Sequence, residues 1–153
     1  MKIAVGSDHA GFALKERIKR ELQSLGHTVT DVGTGSDTES VDYPDFAIPV
    51  GELVANGEAE RGVVVCATGI GAAIAANKVA GVRASVVTSD ETARLTRQDN
   101  DSNVLAVGGR TTPNAEDAVR WLKLWLETPF AGGRHERRVK KIADYEARHP
   151  VRR

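Results

Sequence analysis

Apolar residues along the chain alternate between two spacings. Residues 2–6, Lys2-Ile3-Ala4-Val5-Gly6, form a short apolar run with the length and composition of a strand. Phe12, Leu14, Ile18 and Leu22 then recur near helical spacing, which predicts a helix to about residue 25, closed by Gly26. A second strand is expected over 27–32, followed by the polar loop Gly33-Thr-Gly-Ser-Asp-Thr-Glu-Ser, long enough to be functional, with Tyr43 at its far end. Pro44-Asp45 opens a helix to about residue 56, with Pro49 near its first turn or kinking it.

The pattern then repeats. Val63-Val64-Val65-Cys66 reads as a third strand, and Thr68-Gly69-Ile70-Gly71 turns it into an Ala-rich helix. Residues 82–87 give a fourth strand, and Ser89-Asp90-Glu91 caps a helix to about residue 98. Residues 103–107 are the fifth strand. A helix over 112–126 begins at Thr112-Pro113 and carries Trp121, Leu122, Trp125 and Leu126 in a core stripe; a basic helix over about 134–147 follows Gly132-Gly133. Five short strands alternating with helices imply βαβ units and a parallel sheet covered on both faces, an α/β sandwich in one domain over residues 1–153.

Ligands of such sheets bind beyond the C-terminal ends of the strands. That edge would gather Asp8, His9, Cys66, Thr68, the Gly69/Gly71 loop and Gly108-Gly109-Arg110. At the third strand's end, backbone N–H groups and a helix start converge beside a cysteine, an arrangement that holds an anion or favours a thiolate. The plain alternative is a small buried Cys66 with Thr68 as a cap. Gly69-x-Gly71-x-x-Ile74, with Ala73 one residue away and Asp90 further on, also approaches a dinucleotide-binding fingerprint. Against that reading, the loop follows the third strand instead of the first, and Asp90 is explained as a capping residue.

Composition narrows the classes. The 153 residues, 41% of them hydrophobic, suffice for one core without staples. No apolar run is long enough to span a bilayer and no signal peptide precedes the first strand, so a soluble cytoplasmic protein is expected. One cysteine excludes an internal disulfide, and Cys66 with four scattered histidines shows no metal-ligand spacing. Net charge is zero, but from Arg134 onward eight Lys/Arg stand against three Asp/Glu. Such a basic helix in a neutral chain suits a small anionic ligand better than nucleic acid. Arg134 and Arg138, four apart, share a face that could clamp a phosphate, with Arg110 as a third cation.

Taken together, Gly6-Ser7-Asp8-His9-Ala-Gly-Phe, Asp42-Tyr43-Pro44, Cys66-Ala67-Thr68-Gly69-Ile70-Gly71, Asn77-Lys78, Arg97-Gln-Asp99-Asn100-Asp-Ser-Asn103, Gly109-Arg110 and Gly132-Gly-Arg134-His135 with Arg138 resemble the type B ribose-5-phosphate isomerase and galactose-6-phosphate isomerase family. The resemblance covers nearly the whole chain. It implies a cofactor-free aldose–ketose isomerisation through an enediolate, within pentose phosphate metabolism. It also implies a homodimer, or a dimer of dimers, whose active site is shared between subunits and whose basic C-terminal helix packs on the partner.

By position, Cys66 would move the proton between C1 and C2, and Thr68 would assist between O1 and O2. Ala67, Gly69, Ile70 and Gly71, with Asn100, would line the enediolate. Asp8 and Tyr43 would contact hydroxyls, while His9, Arg110, Arg134 and Arg138 would hold the phosphate. One residue departs from the family's pattern: Asp99 stands where a histidine assists ring opening. A solvated aspartate is a poor acid at neutral pH. Either Asp99, Asp8 or water opens a pentose ring, or the substrate is a tetrose 4-phosphate, which cannot close a furanose. Non-catalytic binding of a sugar phosphate is the remaining alternative.

Overall fold

A computed structural model describes residues 1–150. Its element order is β1 (Lys2–Ser7), α1 (Phe12–Ser24), β2 (Thr28–Asp31), α2 (Pro44–Ala55), β3 (Arg61–Cys66), α3 (Ile70–Ala76), β4 (Ala84–Val86), α4 (Asp90–Asn100), β5 (Val104–Gly108), α5 (Ala115–Glu127) and α6 (Arg134–Arg148). The five strands form one parallel sheet in the order β2-β1-β3-β5-β4, the expected α/β sandwich. Burial follows strand position: β1, β3 and β5 are covered on both faces, whereas the outer strands β2 and β4 are only partly buried. Parallel strands inside such a sandwich need apolar side chains on both faces, which is why Val63, Val64 and Val65 run without alternation.

Strand alternation sorts the core into two layers. Ile3, Val5, Val63, Val65, Leu105 and Val107 pack against α1, α4 and α5, with Trp121, Leu122 and Trp125 filling the space. Ala4, Val64, Cys66 and Ala106 face α2 and α3, where Ala47, Ala72, Ala73 and Ala76 permit close helix approach. The chain leaves β1 toward β2 on one side and reaches β3 on the other. The crevice between the C-terminal ends of β1 and β3 is therefore the topological switch point.

Two elements differ from expectation. The helix expected from Thr112-Pro113 starts at Ala115, because the Asn114 side chain, not Thr112, accepts the Asp117 N–H at 3.0 Å and caps it. The fourth strand shrinks to Ala84–Val86, at the sheet's edge. There the Asn77 amide pairs with the Ala84 backbone on its free side: Nδ2 donates to the Ala84 carbonyl at 2.9 Å and Oδ1 accepts its N–H at 2.7 Å.

Lys15, a buried polar residue of α1, anchors the polar loop. Its side chain is 1% exposed, and Nζ donates to both Asp31 oxygens at 2.8 and 3.0 Å and to the Thr34 carbonyl at 2.6 Å. The same loop is tied to the end of β1 by Ser7 N–H to Gly33 O and Thr34 N–H to Ser7 O, both 2.7 Å. Burial pushes the Asp31 carboxyl up, but hydrogen bonds from Lys15, Lys19 and the Gly33 N–H outweigh it and hold the group below its ordinary value. A lowered carboxyl stabilises the fold above its unfolded pKa near 4, and that contribution is lost as pH falls through the lower folded value. Lys15→Met should therefore cost about 2–3 kcal/mol at neutral pH, less than a fully buried pair because Asp31 touches water. In urea titrations the gap between wild type and mutant should narrow as pH drops below about 4; a gap constant down to pH 2 would refute the ion pair's contribution.

Candidate active site

Three strand ends build one corner of the sheet. After β1, the Asp8 Oδ1 accepts the Gly11 N–H at 3.0 Å, turning the chain into α1. After β3, Cys66 is 4% exposed, and its Sγ accepts the Gly69 N–H at 3.2 Å. Thr68 Oγ1 accepts the Ile70 N–H at 3.1 Å, so two donors ahead of α3 are already engaged within the loop. After β5, Gly109 N–H donates to Cys66 O at 2.8 Å and Arg110 N–H to Ala67 O at 2.9 Å, which lays the Arg110 backbone alongside Cys66-Ala67.

Two glycines make this corner possible. Gly69 has φ of 79°, and a Cβ there would also lie 2.9 Å from the Val107 backbone. At Gly71 a Cβ would meet the Tyr43 ring at 2.6 Å, so the exposed Tyr43 lies flush against the start of α3. His9 is fixed from the polar loop, its Nδ1 accepting the Val41 N–H at 3.1 Å. The structure thus brings together Asp8, His9, Tyr43, Cys66, Ala67, Thr68, Gly69, Ile70, Gly71 and Arg110. Ile70 and Ile74, 56% and 57% exposed, flank them on the outer face of α3.

The other expected site residues lie at the opposite edge. Helix α4 runs back from the end of β4, and its last residue, Asn100, offers its carbonyl to Arg83 Nε just ahead of β4. Arg83 O in turn accepts the Asn103 N–H where β5 begins. The Asp99 carboxylate is 3.4 Å from His135 Nε2, and the Ala131 N–H donates to Gln98 O, which seats the start of α6 against the end of α4. Asp99, Asn100, Arg134 and Arg138 therefore sit by the N-terminal ends of the strands. Cys66 is the length of β3 away, about 17 Å for its six residues. No arginine side chain bridges that distance, so the four do not approach the Cys66 of their own chain.

The sequence pattern of the ribose/galactose isomerase family matches residues 3–142. The chain belongs to the ribose/galactose isomerase family. Among relatives of this isomerase, ribose-5-phosphate isomerase B of Escherichia coli is 46% identical over 147 residues, 96% of this chain and 97% of that one. D-erythrulose-4-phosphate isomerase of Pectobacterium atrosepticum is 38% identical over 146 residues, covering 95% of each. The solved structure of ribose-5-phosphate isomerase B from Clostridium thermocellum superposes with a TM-score of 0.94 at 48% identity, covering 97% of this chain and 99% of that one.

Several features of the isomerase were not legible as site chemistry. Asp90, which the dinucleotide reading needed, is hydrogen-bonded by Arg120 Nε at 2.8 Å in the first turn of α4, capped by Ser89. Arg97 is buried and clamps the end of α4, donating to Asp101 Oδ1 at 2.8 Å and Ser102 O at 2.7 Å. His135 stands in the sequence only as part of a basic helix; its place beside Asp99 depends on how α6 docks. Among the described residues no group of three or more His, Cys, Asp or Glu could hold a metal ion, and no helix is long and apolar enough to cross a membrane.

Proposed function

We propose that this isomerase interconverts ribose 5-phosphate and ribulose 5-phosphate through a cis-enediolate, at a site completed by a second copy of the chain. The observation that carries this reading is the Cys66 corner: a nearly buried sulfur with the Gly69 N–H already aimed at it, at the switch point of a parallel sheet. Cys66 moves the proton between C1 and C2. Thr68 passes one between O1 and O2. With the Gly69 and Ile70 N–H groups engaged by Sγ and Oγ1, the first-turn N–H of Gly71, which has no helical carbonyl one turn back, is left for the enediolate oxygen, together with Asn100. One good donor of this kind is worth about 3–4 kcal/mol in the transition state. Asp8 and Tyr43 meet sugar hydroxyls, and His9 and Arg110 meet the phosphate.

Arg134, Arg138 and Asn100 serve the site only when they come from a partner, because their own chain holds them at the far edge. Two surfaces support that pairing. Ile70 and Ile74 expose an apolar stripe beside Cys66, and α6 buries none of its residues although it carries Val139, Ile142 and Tyr145. A homodimer covers both. A cytoplasmic location fits this reading, because a doubly charged sugar phosphate does not cross a bilayer unaided and stays in the compartment where metabolism makes it.

Asp99 favours a second reading, a tetrose 4-phosphate substrate that needs no ring opening, and a relative is named for erythrulose 4-phosphate. Steady-state kinetics on the two substrates separates them. Ribose 5-phosphate should give a kcat/KM about tenfold or more above that of erythrulose 4-phosphate; the reverse order would install the tetrose.

A further inference from the structure

We propose that His135, oriented by Asp99, is the acid–base group that opens the furanose ring of the sugar phosphate. The inference rests on the proposed shared site and adds a residue to it. A pentose 5-phosphate is held mainly as a ring, and opening it requires two proton movements: the anomeric hydroxyl loses its proton while the ring oxygen gains one. The C1–O4 bond breaks, leaving a C1 carbonyl and an O4 hydroxyl, with no net change in oxidation state. An imidazole is suited to both transfers near neutral pH, whereas an ordinary carboxyl is a weak acid source there.

Four histidines are available. His27 contacts the chain's amino terminus through Nδ1 at 3.0 Å, just ahead of β2 at the sheet border opposite β4. His149 stacks on Tyr145 at the end of α6, with ring centroids 4.2 Å apart. His9 lies at the Cys66 corner with Nδ1 engaged by the Val41 N–H. Only His135 shares an edge with Asp99, Asn100 and Arg134. Its side chain is 15% exposed and its Nε2 is 3.4 Å from Asp99 Oδ1. That contact directs the Nε2 side of the ring to the carboxylate and leaves Nδ1 as the atom that exchanges protons with the sugar. Carboxylate and imidazole then divide the work as they do in other acid–base pairs: one orients, the other transfers. His135 also follows Arg134 and precedes Arg138 by one turn of α6, so the sugar bound through those arginines lies next to it.

The test measures ring opening apart from isomerisation. In a Cys66→Ala background, magnetisation-transfer NMR of ribose 5-phosphate labelled with carbon-13 at C1 reads the exchange between its α and β furanose forms, which passes through the open chain. The Cys66→Ala protein should accelerate that exchange over buffer. Cys66→Ala/His135→Gln should lose the acceleration by about 10²-fold, and Cys66→Ala/Asp99→Asn should lose part of it, while both still bind ribose 5-phosphate as Cys66→Ala does. Equal anomer exchange with and without His135 would overturn the proposal, as would a loss accounted for by weaker binding. Persisting isomerisation by Cys66→Ala would instead overturn the Cys66 assignment, so the two failures are distinguishable.

Discussion

Replacing Cys66 by alanine should lower kcat by about 10⁴-fold, the upper end of what a positioned proton-transfer group contributes, and leave the affinity for ribose 5-phosphate within a few-fold of wild type. The separation follows from geometry. The sulfur lies at the floor of the β3 corner, 4% exposed, whereas the arginines read as phosphate ligands are exposed and come from the turn after β5 and from α6. Removing one sulfur from a site lined by Ala72 and Ala73 leaves a small gap and an unpaired Gly69 N–H, a stability cost of about 1–2 kcal/mol that does not unfold a domain of this size. Solvent deuterium appearing at C1 or C2 in the wild type, and vanishing in Cys66→Ala, would show that the sulfur takes the carbon-bound proton. Wild-type exchange in the mutant would falsify the assignment.

Two inactive chains should restore activity when mixed. Cys66→Ala damages the β3 corner, and Arg134→Ala/Arg138→Ala damages the opposite edge. If each site takes one edge from each partner, a mixed dimer has one site with both defects and one with none. Equal amounts, unfolded and refolded together, should regain about a quarter of wild-type activity, because about half of the dimers are mixed and half of their sites intact. Sites built within one chain would regain nothing above the single mutants. The arginine pair alone should raise KM strongly, since a doubly charged phosphate loses two bidentate, charge-assisted partners.

The sheet was legible in the sequence because its central strands are apolar on both faces: Val63-Val64-Val65 and Val104-Leu105-Ala106-Val107 have no other reading at that length. Elements at the rim were less so. Whether α5 begins at Thr112-Pro113 or after Asn114 is decided by a single side-chain hydrogen bond, and β4 shortens because only one neighbour pairs with it. The Cys66 corner was legible for a topological reason, since strand ends in such a sheet share an edge whatever their separation along the chain. The residues proposed to complete the site from a partner were legible as a set but not as a place. Asp99 and His135 meet only because α6 docks on α4, and Lys15 reads as one more helical charge until the loop after β2 folds over it.

The Asn77 amide on the outer side of β4 has a bearing on assembly. A carboxamide presents the same donor and acceptor as a peptide unit, so Asn77 acts as a one-residue imitation of a sixth strand, holding both hydrogen-bonding positions of Ala84. A strand arriving at this edge, from a second copy or an unfolded neighbour, would have to evict that side chain before it could pair. At Ala84, then, the sheet's border is blocked by its own side chain, and the pairing of copies proposed above would fall to the helical faces, where Ile70 and Ile74 stand open.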